Sequence, residues 1–171
     1  YEREFRIKKS QFPNAAYEVA APYLNEVRKL RFYKEIDSSR SFYKIKFKRD
    51  KLYYTLNFNA ANALETIEMG VEPVDIPNDS YSAIQAYLKE AFEDYKIRKI
   101  EQQYPREAFA SAQETFERAF QNLILPKFRY KLVVRSRTEE GKLDTEVLFD
   151  SGGEFLSQRK SLPPNYDHVL Y

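Results

Sequence analysis

Hydrophobic and polar residues alternate along 30–36, 42–48 and 52–58, the two-residue period of strands with one covered and one open face. Tyr43, Ile45 and Phe47 point one way, while Phe42, Lys44, Lys46 and Lys48 point the other. Leu52, Tyr54, Leu56 and Phe58 likewise alternate with Tyr53, Thr55 and Asn57. The polar links 37–40 and 49–51 predict hairpin turns, giving an antiparallel meander with one wet face.

Elsewhere the period changes to that of a helix. Tyr81, Ile84, Leu88, Ala91, Phe92 and Tyr95 predict a helix over 79–93, with Asn78, Asp79 and Ser80 as candidate N-caps. Over 14–24, Pro22 allows only a short or kinked helix. Phe109, Ala112, Phe116, Ala119, Phe120 and Leu123 form another helical stripe, with Pro105 suited to its first turn and Pro126 beyond its end. A further strand is expected over 128–137, with Phe128, Tyr130, Leu132 and Val134 inward and Arg129, Lys131, Arg135 and Arg137 outward.

These elements occur in two matched series. Phe12-Pro13-Asn14 and Ile76-Pro77-Asn78 each open a segment with a tyrosine at the same offset, Tyr17 and Tyr81. Phe58-Asn59 with Leu64 matches Phe149-Asp150 with Phe155, with Ala61-Asn62 and Gly152-Gly153 in the same turn. The starts lie 64 residues apart and the ends 91, so the second series holds 27 more residues, most of them in 105–123. The expected architecture is α+β, two tandem helix-plus-antiparallel-sheet repeats spanning 1–74 and 75–171, the second with an inserted helix at about 105–123.

Composition narrows the chemistry. Charged residues reach 32% yet nearly cancel at +2, so the chain as a whole has no field that selects nucleic acid or a membrane surface. No stretch approaches the ~20 apolar residues that span a bilayer. The absence of cysteine removes a thiolate nucleophile and thiolate metal sites, and the one histidine, His168, has no thiol partner and is expected at the surface. No His pair at helical spacing, cation loop or glycine-rich phosphate loop is present, so neither metal, cofactor nor enzymatic activity is expected. The proline-bearing tail, 162–171, is expected to dock on the fold.

What remains is surface. Fourteen tyrosines and thirteen phenylalanines accompany the basic residues, and the wet sheet face interleaves Arg31, Tyr33, Phe42, Lys44, Lys46 and Tyr53, with Arg129 and Lys131 on the corresponding strand of the second series. Tyrosine and arginine bury large area on association, which makes these eight the candidate partner-binding residues. The plainer alternative is that the cations solvate an exposed sheet and discourage edge pairing.

The X-Pro helix start, the meander and the closing Phe-[Asn/Asp] turn, given twice, resemble the PepSY-like proteins similar to beta-lactamase inhibitory protein, mostly exported proteins of Bacteroidetes-type bacteria. The likeness is carried by Val27-Arg28-Lys29-Leu30-Arg31-Phe32-Tyr33-Lys34-Glu35, by 54–64, by 76–100 and by 145–155. Ala61-Asn62 replaces a favoured glycine turn, and the inserted helix lies outside the basic unit. The resemblance implies a periplasmic or secreted, non-catalytic protein that holds a protein or peptide on a concave sheet, as the inhibitor does; apart from the resemblance, a monomer is one expected state. It carries no defined functional residue onto this chain. Two rivals stand beside it: carriage of a small apolar ligand between the sheet and the inserted helix, and single-stranded nucleic-acid binding by the basic-aromatic face, which the small net charge disfavours.

Overall fold

The computed structural model describes residues 2–38, 40–121, 127–161 and 166–170, without the side chains of 2 and 166–170. The expectations placed on His168, Leu123, Pro126 and residues 162–165 therefore lie outside the described residues or side chains. Residues cluster into two compact units, Tyr1–Met69 with Tyr104–Leu123 and Leu162–Tyr171, and Gly70–Gln103 with Ile124–Ser161.

In the first unit, β1 (Glu2–Ile7) precedes α1 (Asn14–Ala20), which gives way at Pro22 to a 3-10 turn, Ala21–Tyr23. Three strands follow, β2 (Arg28–Asp37), β3 (Arg40–Arg49) and β4 (Leu52–Phe58), and then β5 (Leu64–Gly70). The three meander strands and the short first helix match the sequence pattern. Asp50 and Lys51, both at positive φ (49° and 68°), make the two-residue turn from β3 to β4.

The second unit carries α2 (Asn78–Ala91) and β6 (Lys96–Pro105), and after them α3 (Ala112–Gln121), β7 (Arg129–Thr138), β8 (Gly141–Asp150), β9 (Phe155–Lys160) and β10 (Tyr166–Leu170) complete the chain. Of these, α3 and β10 belong to the first unit. Strand order is β10-β1-β2-β3-β4-β5 in the first unit and β6-β7-β8-β9 in the second. Neighbouring strands are antiparallel except β10, which lies parallel to β1 and seats the tail there.

The core of the first unit lies on the helix side of its sheet. Phe12 meets Phe32, Tyr43 and Phe58 at centroid distances of 5.1, 5.6 and 5.9 Å, closing α1 onto β2, β3 and β4. On α3, Phe116 stacks on Tyr23 at 4.0 Å, and Phe120 stands edge-on to Tyr54 at 5.2 Å and Phe47 at 6.3 Å. The apolar-carrier alternative needs an open space in this layer, and these rings instead pack against one another. In the second unit Ile84 and Leu88 of α2 are fully buried, and Tyr87 stacks on Phe155 at 4.4 Å. Phe128, Tyr130, Leu132 and Val134 all face inward, as their alternation predicts.

Two expectations about helix ends are corrected. Pro105 closes β6 rather than opening the inserted helix, which begins seven residues later at Ala112. There Ser111 Oγ accepts the Glu114 amide at 3.0 Å, and the Glu114 carboxylate accepts the Ala110 amide at 2.8 Å. Asn78, Asp79 and Ser80 do not cap α2 with their side chains; Pro77 occupies the N-cap, and Ser80 Oγ donates to the Ser151 carbonyl at 2.8 Å.

The matched sequence segments have matched bonds. The Lys8 amide donates to the Gln11 side chain at 2.8 Å and the Phe12 amide to the Lys9 carbonyl at 3.0 Å. Sixty-four residues on, the Glu72 amide donates to the Asp75 side chain at 2.8 Å and the Ile76 amide to the Pro73 carbonyl at 3.1 Å. At the other end, Asn59 Oδ1 accepts the amides of Ala61 and Ala63, as Asp150 Oδ1 accepts those of Gly152 and Glu154. Asn62 and Gly153, both at positive φ, occupy the same turn position. Glycine is required at the second, because a Cβ there would overlap the Ser80 carbonyl oxygen.

Candidate functional site

Strand register fixes which side chains share the sheet face opposite the helices. In the first unit it assembles rows: Arg6, Tyr33, Lys44, Asn57 and Thr66 in one, and Arg31, Lys46, Thr55 and Glu68 in the next. Glu4, Glu35 and Phe42 form a third row, and Arg28, Lys48 and Tyr53 a fourth. All six first-series candidates therefore lie on one face, as the alternation predicts.

The face is less open than the sequence implies. Tyr33 is only 3% exposed, with Lys46 Nζ 4.4 Å above its ring. Phe42 and Arg31 are half-buried, and Tyr53 is the exposed ring, at 53%. Expected as a wet-face aromatic, Tyr33 is a buried residue, since the long side chains around it cover the ring.

The lysines are also not bare charges. Lys44 Nζ lies 3.0 Å from Glu4 and 3.8 Å from Glu35, and Lys46 Nζ lies 3.1 Å from the other Glu4 oxygen. Burial alone pushes the Glu4 carboxyl up, but the two ammonium groups and their hydrogen bonds outweigh it and hold the carboxyl at about 2. Asn57 donates to Thr66 at 2.8 Å and to the buried Glu68 at 2.7 Å, extending the ordered polar layer.

On the corresponding face of the second unit, Lys131 Nζ is 3.7 Å from Glu101 and 3.9 Å from Glu146. Lys99 also approaches Glu101 at 3.6 Å, and Arg159 approaches Glu146 at 3.4 Å. Arg135 grips Asp144 with two bonds of 2.8 and 3.1 Å, which lower the carboxyl and raise the guanidinium. Arg129, half-buried, has its Nε buried with no hydrogen-bond partner among the described residues.

Reading cations and rings from the sequence therefore missed half of the face. Glu4, Glu35, Glu101 and Glu146, which hold lysines, and Glu68, which accepts from Asn57, are as much a part of it as the cations. Their signal was the alternation of Glu4 and Arg6 against Phe5 and Ile7 ahead of the first proline.

One end of the first unit's face has a different character. The Lys29 ammonium donates to Tyr53 Oη at 3.3 Å, and Lys29 and Lys48 stand 5.6 and 5.1 Å from the ring centroid. The hydrogen bond and charge of Lys29, with the charge of Lys48, hold the Tyr53 phenol below the usual tyrosine value.

No protein-family model and no curated protein matches the sequence. Among solved structures, the fold is similar to that of a BLIP-like protein from Bacteroides fragilis, with a TM-score of 0.52 and 10% identity over 93% of this chain and 95% of that one. A DUF2874 family protein from Bacteroides uniformis gives 0.53 and 13% over 87% and 89%. A protein provisionally named periplasmic, from Bacteroides eggerthii, gives 0.52 and 12% over 86% and 88%. The shared feature at these identities is the fold, a BLIP-like α+β arrangement.

Proposed function

We propose that the chain is a non-catalytic, exported binding module that holds a protein or peptide partner on the sheet face opposite its helices. Arg31, Tyr33, Phe42, Lys44, Lys46 and Tyr53 form that surface in the first unit, with Arg129 and Lys131 on the equivalent strand of the second. The observation that carries this reading is the ordered charge layer of Glu4, Lys44 and Lys46. It fixes long side chains before any partner arrives and so lowers the entropy lost on association. Buried Tyr33 acts as the floor of this layer, and Phe42 and Tyr53 supply its contact area.

Export to the periplasm is supported by the neighbour provisionally named for that compartment. The same reading treats 1–74 and 75–171 as two PepSY-like copies, and the paired turn bonds around Asn59 and Asp150 support that division.

The absence of cysteine makes a direct test practical. A benzophenone maleimide attached to Phe42→Cys on the face, or to Glu90→Cys on exposed α2, is illuminated in periplasmic extract and its adducts are identified by mass spectrometry. The expected result is a recurrent protein adduct from position 42 and not from 90. Identical adducts from both positions, or none from 42, contradict the reading.

A further inference from the structure

Lys44 and Lys46 are held by carboxylates, but among the described residues one cluster of cations on the same face is not. Arg28 lies opposite Lys48, Lys48 lies opposite Tyr53, and Lys29 reaches the Tyr53 hydroxyl. Among the described residues none of Arg28, Lys29 and Lys48 has a carboxylate within ion-pair distance. A β-bulge between Arg28 and Arg31 creates the cluster, with Lys29 at φ +53°, a conformation that an ordinary side chain adopts at some energetic cost. The irregularity lets Lys29 reach Tyr53 beside Lys48.

Resting on the binding-module reading, we propose that Arg28, Lys29, Lys48 and Tyr53 anchor an acidic segment of the partner protein, one whose carboxylates flank an apolar or aromatic side chain. The three cations supply attraction that the described residues leave uncompensated, and the half-exposed ring supplies a flat apolar contact whose phenol is already oriented by Lys29. The rest of the face selects the class of partner. Glu68 lies on the adjoining row and Glu4 and Glu35 two rows beyond it, so a polyphosphate running along the sheet meets buried carboxylates after the first row. A protein segment can set acidic groups over Lys29 and Lys48 and neutral polar groups beyond them. The depressed ionisation of Tyr53 fits the same uncompensated positive field.

The test uses the full chain and a fluorescein-labelled peptide of aspartates and glutamates around a central phenylalanine. A lysine-for-acid counterpart and an oligothymidylate of equal charge serve as comparisons, with anisotropy read at low, physiological and high salt. The acidic peptide is expected to bind with affinity that falls as salt rises. The double variant Lys29→Gln with Lys48→Gln should weaken it about tenfold, and Tyr53→Ala should weaken it while Tyr53→Phe largely retains it.

The charge-matched control, Lys89→Gln with Lys9→Gln, removes two exposed lysines away from the sheet face and should leave affinity within about twofold. Equal loss in both double variants shows a response to net charge alone and overturns the proposal. Oligothymidylate binding with the same dependence on Lys29 and Lys48 also overturns it, in favour of a nucleic-acid ligand. If the position-42 adduct still forms at full yield in the Lys29→Gln, Lys48→Gln background, this anchor is wrong while the module reading stands. If neither the adduct nor the peptide complex forms in the parent chain, both fall.

Discussion

Lys44 and Lys46, neighbours on the same face of β3, hold opposite oxygens of the Glu4 carboxylate at 3.0 and 3.1 Å. One buried carboxylate thereby pairs with two ammonium groups from forty or more residues away in the chain. Glu4→Gln leaves both lysines without that charge in a largely buried layer. The expected loss is about 3 kcal/mol of stability in urea unfolding. A loss below about 1 kcal/mol would mean that the layer is solvated like an ordinary surface.

The same carboxylate governs the acid limb. Its folded value, about 2, lies below the ordinary 4.5, so the stabilisation it contributes is fully present above the ordinary value. Stability is then lost as pH falls from about 4.5 towards 2. The parent should lose stability across that window, and Glu4→Gln should show a flatter acid limb. Parallel limbs for the two proteins would assign acid sensitivity to other groups.

Tyr130 presents the opposite case. Its hydroxyl is buried without a hydrogen-bond partner among the described residues, and burial pushes the phenol up to about 12. Tyr130→Phe removes an unsatisfied polar group and keeps the ring, so thermal unfolding should show a gain of about 1 kcal/mol. Destabilisation would show that the hydroxyl is satisfied in solution.

Gly153 and Gly141 both sit at positive φ, at 91° and 116°, but only Gly153 lies against neighbouring backbone. Gly141→Ala meets only conformational strain and should cost about 1 kcal/mol, whereas Gly153→Ala must also move the Ser80 carbonyl and should cost about 3 kcal/mol or more. Equal costs in chemical unfolding would show that the two turns, not the α2 contact, set the requirement.

Tyr53 offers a spectroscopic reading of its surroundings. Lys29 lowers its ionisation through a hydrogen bond and its charge. Difference spectra of the parent against Tyr53→Phe should show one tyrosine ionising below the ordinary range, and Lys29→Gln should return it upward. No movement in that variant would separate Lys29 from the phenol.

The meander of the first half was legible because each strand has one apolar and one polar face and short polar turns, as in Tyr43, Ile45 and Phe47 against Lys44 and Lys46. The equivalence of Asn59 and Asp150 was legible too, since both side chains fold back onto the following amides. Glu4 as the partner of Lys44 was not, because alternation within one strand carries no information about which strand lies beside it. Tyr33 looked open for the same reason: a period of two assigns a face but not its cover. The start of α3 was placed too early because Pro105 outweighed Ser111-Ala112-Gln113-Glu114, a capping signal present in the sequence.

A partner on the helix-free face of the first unit shields the lysines of that face from modification. Acetylation footprinting of the position-42 adduct tests it most directly, with lysine reactivity compared between the bound and unbound chain by mass spectrometry. Lys29, Lys46 and Lys48 should become protected, while Lys9 against Tyr17 on the helix side and Lys89 on α2 keep their reactivity. Protection of Lys9 or Lys89 with unchanged reactivity at Lys29, Lys46 and Lys48 would place the partner elsewhere and contradict the account.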